Sequence, residues 1–148
     1  MKIYIGADHG GFEYKEMLKE HLGEHEVVDL GASELNSEDD YPDFILPVAE
    51  SVAGDGGSMG IVIGRSGNGE AICANKVKEI RAAVCTNVEM ARKAREHNGA
   101  NILSIGADYV DEDTVKEIVQ AFLETPFSGE ERHKRRLEKI EKYESAES

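Results

Sequence analysis

Apolar positions along this chain fall into short continuous runs separated by longer stretches with helical spacing. Lys2–Ala7, Glu26–Leu30, Ile61-Val62-Ile63, Arg81–Cys85 and Asn101–Ile105 are the short runs, mostly bounded by glycine, asparagine or aspartate. They predict five strands. Between them, Phe12–Leu22 places Phe12, Met17, Leu18 and Leu22 on one stripe, and Gly23 ends it. Tyr41-Pro42 opens a second helix, with proline at the first helical position and Phe44, Ile45, Val48, Ala49 and Val52 following at helical intervals. A third begins at Glu70, a fourth spans Asn87–His97, and a fifth runs from about Asp111 to Glu124 with Val115, Ile118, Val119, Phe122 and Leu123 inward.

Strands that are near-continuously apolar and alternate with helices predict an α/β fold: three layers, with a five-stranded parallel sheet covered on both faces. Right-handed crossovers then bring the C-terminal end of every strand to one edge. That edge is expected to collect Asp8-His9, the loop at 64–69 and Gly106-Ala-Asp108. The remaining piece, about 129–143, is a basic helix with only Leu137, Ile140 and Tyr143 as apolar points. Its narrow stripe predicts packing on a neighbour, such as a second subunit, rather than in a core. Residues 145–148 are expected to fray.

The 148 residues fit a single domain, 1–148, with 40% hydrophobic positions to build its core. Thirty acidic residues against 17 basic give a net charge of −13, which disfavours nucleic acid and anionic membranes as partners. No stretch is long and apolar enough to span a bilayer, and the N-terminus reads as a strand rather than a signal peptide, so the expected location is cytoplasmic. Cys73 and Cys85 are the only cysteines. Their spacing predicts neither a disulfide scaffold nor a metal site, and both are expected to be small buried residues. His21 and His25 lie four apart, but Gly23 between them and a nearby helix end predict surface positions.

The chemistry concentrates in Gly64-Arg-Ser-Gly-Asn-Gly-Glu70. Glycines after an apolar strand let the backbone approach a ligand closely, and the following helix presents unpaired N–H groups. Spacing alone leaves two readings of Glu70: a first-turn carboxylate complementing the helix dipole, or a base at the mouth of an oxyanion cradle. The dipole favours the ionised form, so a base here requires burial to push the other way. Ser66 reads as a helix N-cap, a substrate contact or both.

Several segments, in order along the chain, resemble one family. These are Gly6-Ala-Asp-His-Gly-Gly-Phe12, Asp40-Tyr-Pro-Asp-Phe44, Gly64 to Lys76, Ile80-Arg-Ala-Ala83, Ala94-Arg-Glu-His-Asn-Gly-Ala-Asn101 and Phe127 with Arg132-His133 and Arg136. The chain resembles ribose-5-phosphate isomerase type B and the related galactose-6-phosphate isomerase subunits. The resemblance implies a Rossmann-like aldose–ketose isomerase of carbohydrate metabolism and the pentose phosphate pathway, without metal or cofactor. It also implies a homodimer or dimer of dimers with active sites shared between subunits. One subgroup uses a cysteine base at the position of Ser66; this chain is similar to the subgroup that uses the glutamate.

The implied reaction interconverts ribose 5-phosphate and ribulose 5-phosphate through an enediolate, with Glu70 as base and His97 as the acid that opens the sugar ring. Gly67, Asn68 and Gly69 would offer backbone N–H groups to the enediolate oxygen, beside Ser66. The resemblance also assigns Asp8 to ring hydroxyls, His9 to the phosphate end, Tyr41 and Asn98 to the substrate, and Arg132 and Arg136 to the phosphate. Without it, His97 reads as a C-terminal dipole partner, and the two arginines as part of a solvated basic face with Lys134, Arg135 and Lys139.

One position departs from the family pattern. Asp108 stands where a third phosphate-binding arginine is usual. Two unit charges 4 Å apart interact by roughly 4 kcal/mol at an effective dielectric of 20, so a carboxylate aimed at a phosphate would be costly. Either Asp108 turns away, or the substrate is another aldose: a tetrose or hexose phosphate, or a free sugar. Arg65 offers a replacement charge or is a plain surface arginine. Two further readings carry less weight: a nucleotide-binding module using the glycine loop, and a catalytically silent paralogue.

Overall fold

The computed structural model describes residues 1–146. Its elements run β1 (Lys2–Ala7), α1 (Phe12–His21), β2 (Glu26–Asp29), α2 (Pro42–Gly54), β3 (Met59–Gly64), α3 (Asn68–Ala74), β4 (Ala82–Val84), α4 (Val88–Asn98), β5 (Ile102–Gly106), α5 (Glu112–Glu124) and α6 (Glu131–Ala146). All five strands are parallel, in the order β2-β1-β3-β5-β4. Each predicted strand and helix is present, with ends moved by one to three residues. The expected fraying at 145–148 is corrected in part: Ser145 and Ala146 continue α6, and residues 147 and 148 lie outside the described residues.

Alternation along the strands divides the core in two. Ile61 and Ile63 of β3, with Ile3, Ile5, Leu103 and Ile105, pack against Leu18 of α1, Ala91 of α4, and Val115, Ile118 and Phe122 of α5. Val62 and Ile102 face the other way, onto Ile45, Val48 and Val52 of α2 and Ala74 of α3. Because β1 crosses over to β2 on one side and β3 to β4 on the other, the chain changes direction between β1 and β3. A crevice at the C-terminal ends of these strands is the usual ligand position in such sheets.

α6 is not purely an outward-facing element. Leu137 and His133 are buried within the chain, and the helix is tied to the opposite edge of the sheet by Glu144 accepting from the Glu79 N–H at 2.9 Å and by an Arg81–Glu141 pair at 3.8 Å. Ile140 and Tyr143 remain exposed. The cysteines also divide: Cys85 is buried, but Cys73 is only half-buried, because the outer face of α3 is left partly uncovered. Burial raises the thiol pKa of Cys73, reinforced by Glu70, and raises that of Cys85 to about 11. Both are poor nucleophiles at neutral pH.

A charge cluster anchors β2 and the loop that follows it. Lys15 of α1 is fully buried, with its Nζ 2.8 Å from Asp29 and 3.1 Å from Glu16, while Lys19 reaches the same two carboxylates at 2.7 and 2.9 Å. Asp29 also accepts the Gly31 N–H at 2.9 Å. Burial pushes its pKa up, but the bonds from Lys15, Lys19 and Gly31 outweigh that and hold it below the usual aspartate value. A depressed folded-state pKa contributes stability above the unfolded value that is lost as pH falls through the folded one. Asp29→Ala leaves a buried ammonium short of its partner and is expected to cost about 3 kcal/mol. Urea unfolding at pH 7 and at pH 3 would check this, with the gap between wild type and variant narrowing in acid.

Candidate active site

Glu70 sits in the first turn of α3, and it is buried. A Cβ placed on Gly64 would lie 2.2–2.3 Å from the Glu70 carboxylate atoms, so the carboxylate rests directly over the last residue of β3. Only glycine permits this. Burial raises the Glu70 pKa and the nearby Asp8 carboxylate adds to it; against them, backbone N–H groups of Glu70 and Gly67 favour the ionised form. The net direction is upward, so desolvation wins the contest with the helix terminus that the sequence leaves open.

The loop before Glu70 is fastened to β5. Gly67 adopts φ +83° as the N-cap of α3, its carbonyl accepts from the buried Ser104 hydroxyl at 2.7 Å, and the Gly64 and Arg65 carbonyls accept from Ala107 and Asp108 N–H at 2.8 and 3.0 Å. Ser66 is therefore not the N-cap. Its hydroxyl accepts the Asn68 N–H at 3.2 Å, an ordinary turn closure across two residues. Of the three expected oxyanion donors, the Asn68 N–H is thus engaged by Ser66 and the Gly67 N–H is turned to Glu70. The Gly69 N–H, in the first turn of α3, has no intrahelical acceptor to satisfy it. The Tyr41 ring lies against Gly69, 2.8–3.1 Å from where a Cβ would be.

Asp8 and His9 follow β1 at the same edge. Asp8 is buried and accepts the Gly10 N–H at 3.0 Å. His9 is bonded through Nδ1 to Asp39 at 2.7 Å. Asp8, His9 and Asp39 offer ligand atoms within 4.8 Å of one another. The Nδ1 to Oδ1 contact is a hydrogen bond that a cation would have to displace, so the arrangement fits a proton better than a metal. His9, Gly10, Tyr14, Leu35, Arg65 and Asp108 line a cleft of about 350 Å³ beside this group. A concavity of about 430 Å³ between α1, α4 and α5 contains none of the expected site residues.

Asp108 lines that cleft paired with a cation rather than alone. Its Oδ2 takes the Arg65 Nε–H at 3.1 Å, with both side chains about half or more exposed. An exposed pair of this kind adds little stability, but it offsets the carboxylate's charge locally and leaves the outer guanidinium N–H groups of Arg65 uncommitted to Asp108.

The other expected residues lie elsewhere in the chain. His97 and Asn98 end α4, which runs back to the start of β5. The His97 ring is 4.3 Å from that of His133, and the Asn98 carbonyl accepts from Arg81 at 2.7 Å. Arg132 and Arg136 are exposed on α6 beside His133, with Arg132 3.6 Å from Glu130. His133 is buried, which lowers its pKa, and His97 and Arg132 lower it further. Gly60 to Gly64 pairs with Ile102 to Gly106, four residues at about 3.3 Å each, so roughly 13 Å of sheet separates the two groups. Within one chain, Glu70 lies by the end of β5 and His97 by its start.

Sequence reasoning did not single out Asp39, Ser104 or His133. Asp39 sits in an acidic run and Ser104 interrupts an apolar strand, a weak signal that a buried hydroxyl has a partner. His133 lies between the two arginines within a segment that resembles the family, with no role of its own assigned there.

A buried carboxylate beside a backbone N–H donor, at the switch point of a parallel sheet, defines a site suited to moving a proton next to a developing oxyanion. Comparison with known proteins agrees. Residues 3–140 match the family model described as Ribose/Galactose Isomerase. Ribose-5-phosphate isomerase B of Mycobacterium tuberculosis is 44% identical over 146 residues, covering 97% of this chain and 90% of that protein. Among solved structures, Clostridium thermocellum ribose-5-phosphate isomerase B superposes with a TM-score of 0.94 at 48% identity, covering 100% of both chains. The Mycoplasma genitalium enzyme with bound ribulose-5-phosphate gives 0.93 at 39% identity, covering 97% of this chain and 96% of that one. The chain belongs to the ribose/galactose isomerase family.

Glu70→Gln removes the ionisable carboxylate while keeping its shape, and turnover is expected to fall by at least about a thousandfold. A raised folded-state pKa means the ionised carboxylate is disfavoured in the folded protein above the unfolded value, so Glu70 costs stability at neutral pH that protonation relieves. The same variant should therefore unfold at a higher urea midpoint than wild type at pH 7. Gly64→Ala, which drives a methyl into the carboxylate, should lose comparable turnover while remaining folded by circular dichroism.

Proposed function

We propose that this protein interconverts ribose 5-phosphate and ribulose 5-phosphate through an enediolate, with Glu70 as the base. The observation that carries this reading is the Glu70 carboxylate, buried over Gly64 with its pKa raised. It is supported by relatives named ribose-5-phosphate isomerase B and by the ribulose-5-phosphate bound in the M. genitalium enzyme.

In this reading Glu70 takes the proton from C2 of the open-chain aldose. The C2 electron pair forms the C1–C2 double bond, and the former carbonyl electrons move onto O1. The Gly69 N–H and the Ser66 hydroxyl stand where they can hold that oxygen, and O1 takes a proton. Collapse of the C2 hydroxyl to a carbonyl releases the proton that O1 takes up, and return of the proton from Glu70 to C1 gives the ketose. Tyr41 keeps water from one side, and Asp8 both holds a sugar hydroxyl and raises the basicity of Glu70. His9 meets the phosphate end.

His97, Asn98, Arg132 and Arg136 join this site from a second copy of the chain. Support comes from their separation from Glu70 within one chain and from the exposed Ile140 and Tyr143 on α6. The active unit is then a homodimer or a dimer of dimers, with ring opening by the partner subunit's His97 and the phosphate bound by the partner subunit's Arg132 and the partner subunit's Arg136. A cytoplasmic setting belongs to the same reading, in keeping with two unpaired cysteines.

A second reading within the class keeps the mechanism and changes the sugar. It is favoured by one observation, an acidic Asp108 tied to Arg65 at the cleft. Kinetics on ribose 5-phosphate, a tetrose and a hexose phosphate, and free ribose separate the two. The expected ranking places ribose 5-phosphate first, and a higher kcat/KM for another sugar would replace it. Mixing and co-refolding inactive Glu70→Gln and His97→Asn chains tests the shared site. Random dimers contain one intact site in half of the molecules, so about a quarter of wild-type activity should return; none should return if each chain uses its own His97.

A further inference from the structure

Asp39 lies in the loop between β2 and α2, thirty residues from His9 in sequence and two before Tyr41, and its side chain is 9% exposed. A single oxygen, Oδ1, accepts twice from His9: from the backbone N–H at 3.0 Å and from Nδ1 at 2.7 Å. The other oxygen, Oδ2, is buried without a hydrogen-bond partner. A carboxylate kept for stability alone would be better placed with both oxygens satisfied or in water. Here one oxygen is held out of solvent so that the other can grip a histidine at two points.

The grip has a chemical result. A carboxylate oxygen accepts, so the proton of the pair sits on Nδ1 and the opposite ring atom, Nε2, is left for anything outside. His9 lines the cleft with Gly10, Arg65 and Asp108, and Asp39 stands behind it. We propose that Asp39 is a positioning residue for substrate binding: it fixes the His9 imidazole with Nδ1 inward and Nε2 turned to the cleft, where it meets the phosphate end of the sugar. This rests on the reading of His9 as the contact for that phosphate. Asp39 itself touches no substrate. The bond also couples the loop at 31–40, which leads into Tyr41, to the turn after β1, so both sides of the site are set together.

The experiment compares His9→Gln, Asp39→Ala, Asp39→Asn and the double variant His9→Gln/Asp39→Ala. Each is measured for kcat and KM on ribose 5-phosphate and for competitive inhibition by inorganic phosphate. Loss of a charge-assisted bond that orients the imidazole should raise KM and the phosphate inhibition constant about tenfold in Asp39→Ala, with a much smaller fall in kcat. Asp39→Asn retains an acceptor oxygen and should recover most of the loss. The double variant should be no worse than His9→Gln, since both act through one ring. Nitrogen-15 spectra of the neutral imidazole should show Nδ1–H in the wild type and in Asp39→Asn, and a shift to Nε2–H in Asp39→Ala.

Two results overturn the proposal in distinguishable ways. If His9→Gln leaves KM and phosphate inhibition unchanged, the reading of His9 is wrong and the proposal falls with it. If His9→Gln raises both but Asp39→Ala raises neither, or adds its full effect in the double variant, His9 binds phosphate without Asp39 and the proposal alone fails.

Discussion

At the end of β3 a carboxylate and a backbone compete for the same space, and glycine lets the carboxylate have it. With no Cβ at Gly64, Glu70 lies flat over the strand end and is shut away from water. Nearly everything else at this edge follows from keeping it there. Desolvation raises its proton affinity against the pull of the Gly67 and Glu70 N–H groups, and Asp8 adds a second negative charge close by. The result is a carboxylate whose proton affinity is raised by burial, in a place where the helix terminus alone would lower it.

The sheet supplies the rigidity this requires. Strands β3 and β5 pair in register from Gly60 to Gly64 and Ile102 to Gly106, and Ser104 extends the pairing beyond the ladder by donating to Gly67. On the β1 side, the Lys15 and Asp29 cluster fixes the departure of β2, and Asp39 then fastens the following loop to His9. Buried charge serves position in both cases. It gives less net stability than an apolar contact of the same size, but it allows fewer alternative arrangements.

Much of this is visible in the sequence, and what is not has a physical reason. Apolar runs identify the strands because a parallel sheet buries both faces, yet they carry nothing about neighbours, so the order β2-β1-β3-β5-β4 could not be read from them. The glycine loop and Glu70 stand out because positive φ and close approach demand glycine at particular places. Lys15 was hidden because its position reads as an ordinary helical lysine, and Asp39 because Glu38, Asp39 and Asp40 look alike until one of them folds inward. The assignment of Ser66 as a cap failed by one residue: Gly67, at φ +83°, takes that role. The separation of His97 from Glu70 follows from helix direction alone, since a crossover helix returns to the start of the next strand.

The fastening of the glycine loop has a bearing on how such a site diversifies. Gly64, Arg65 and Gly67 are each held through their backbone carbonyls by the end of β5 or the residues just after it, so the side chains at 65 and 66 hang from a fixed rail. The side chains at these two positions can change without moving the backbone that carries Glu70, four and five residues on. Arg65 uses that freedom to reach Asp108 across the gap. What the outer end of the cleft presents to a ligand is therefore separable from the placing of the buried carboxylate.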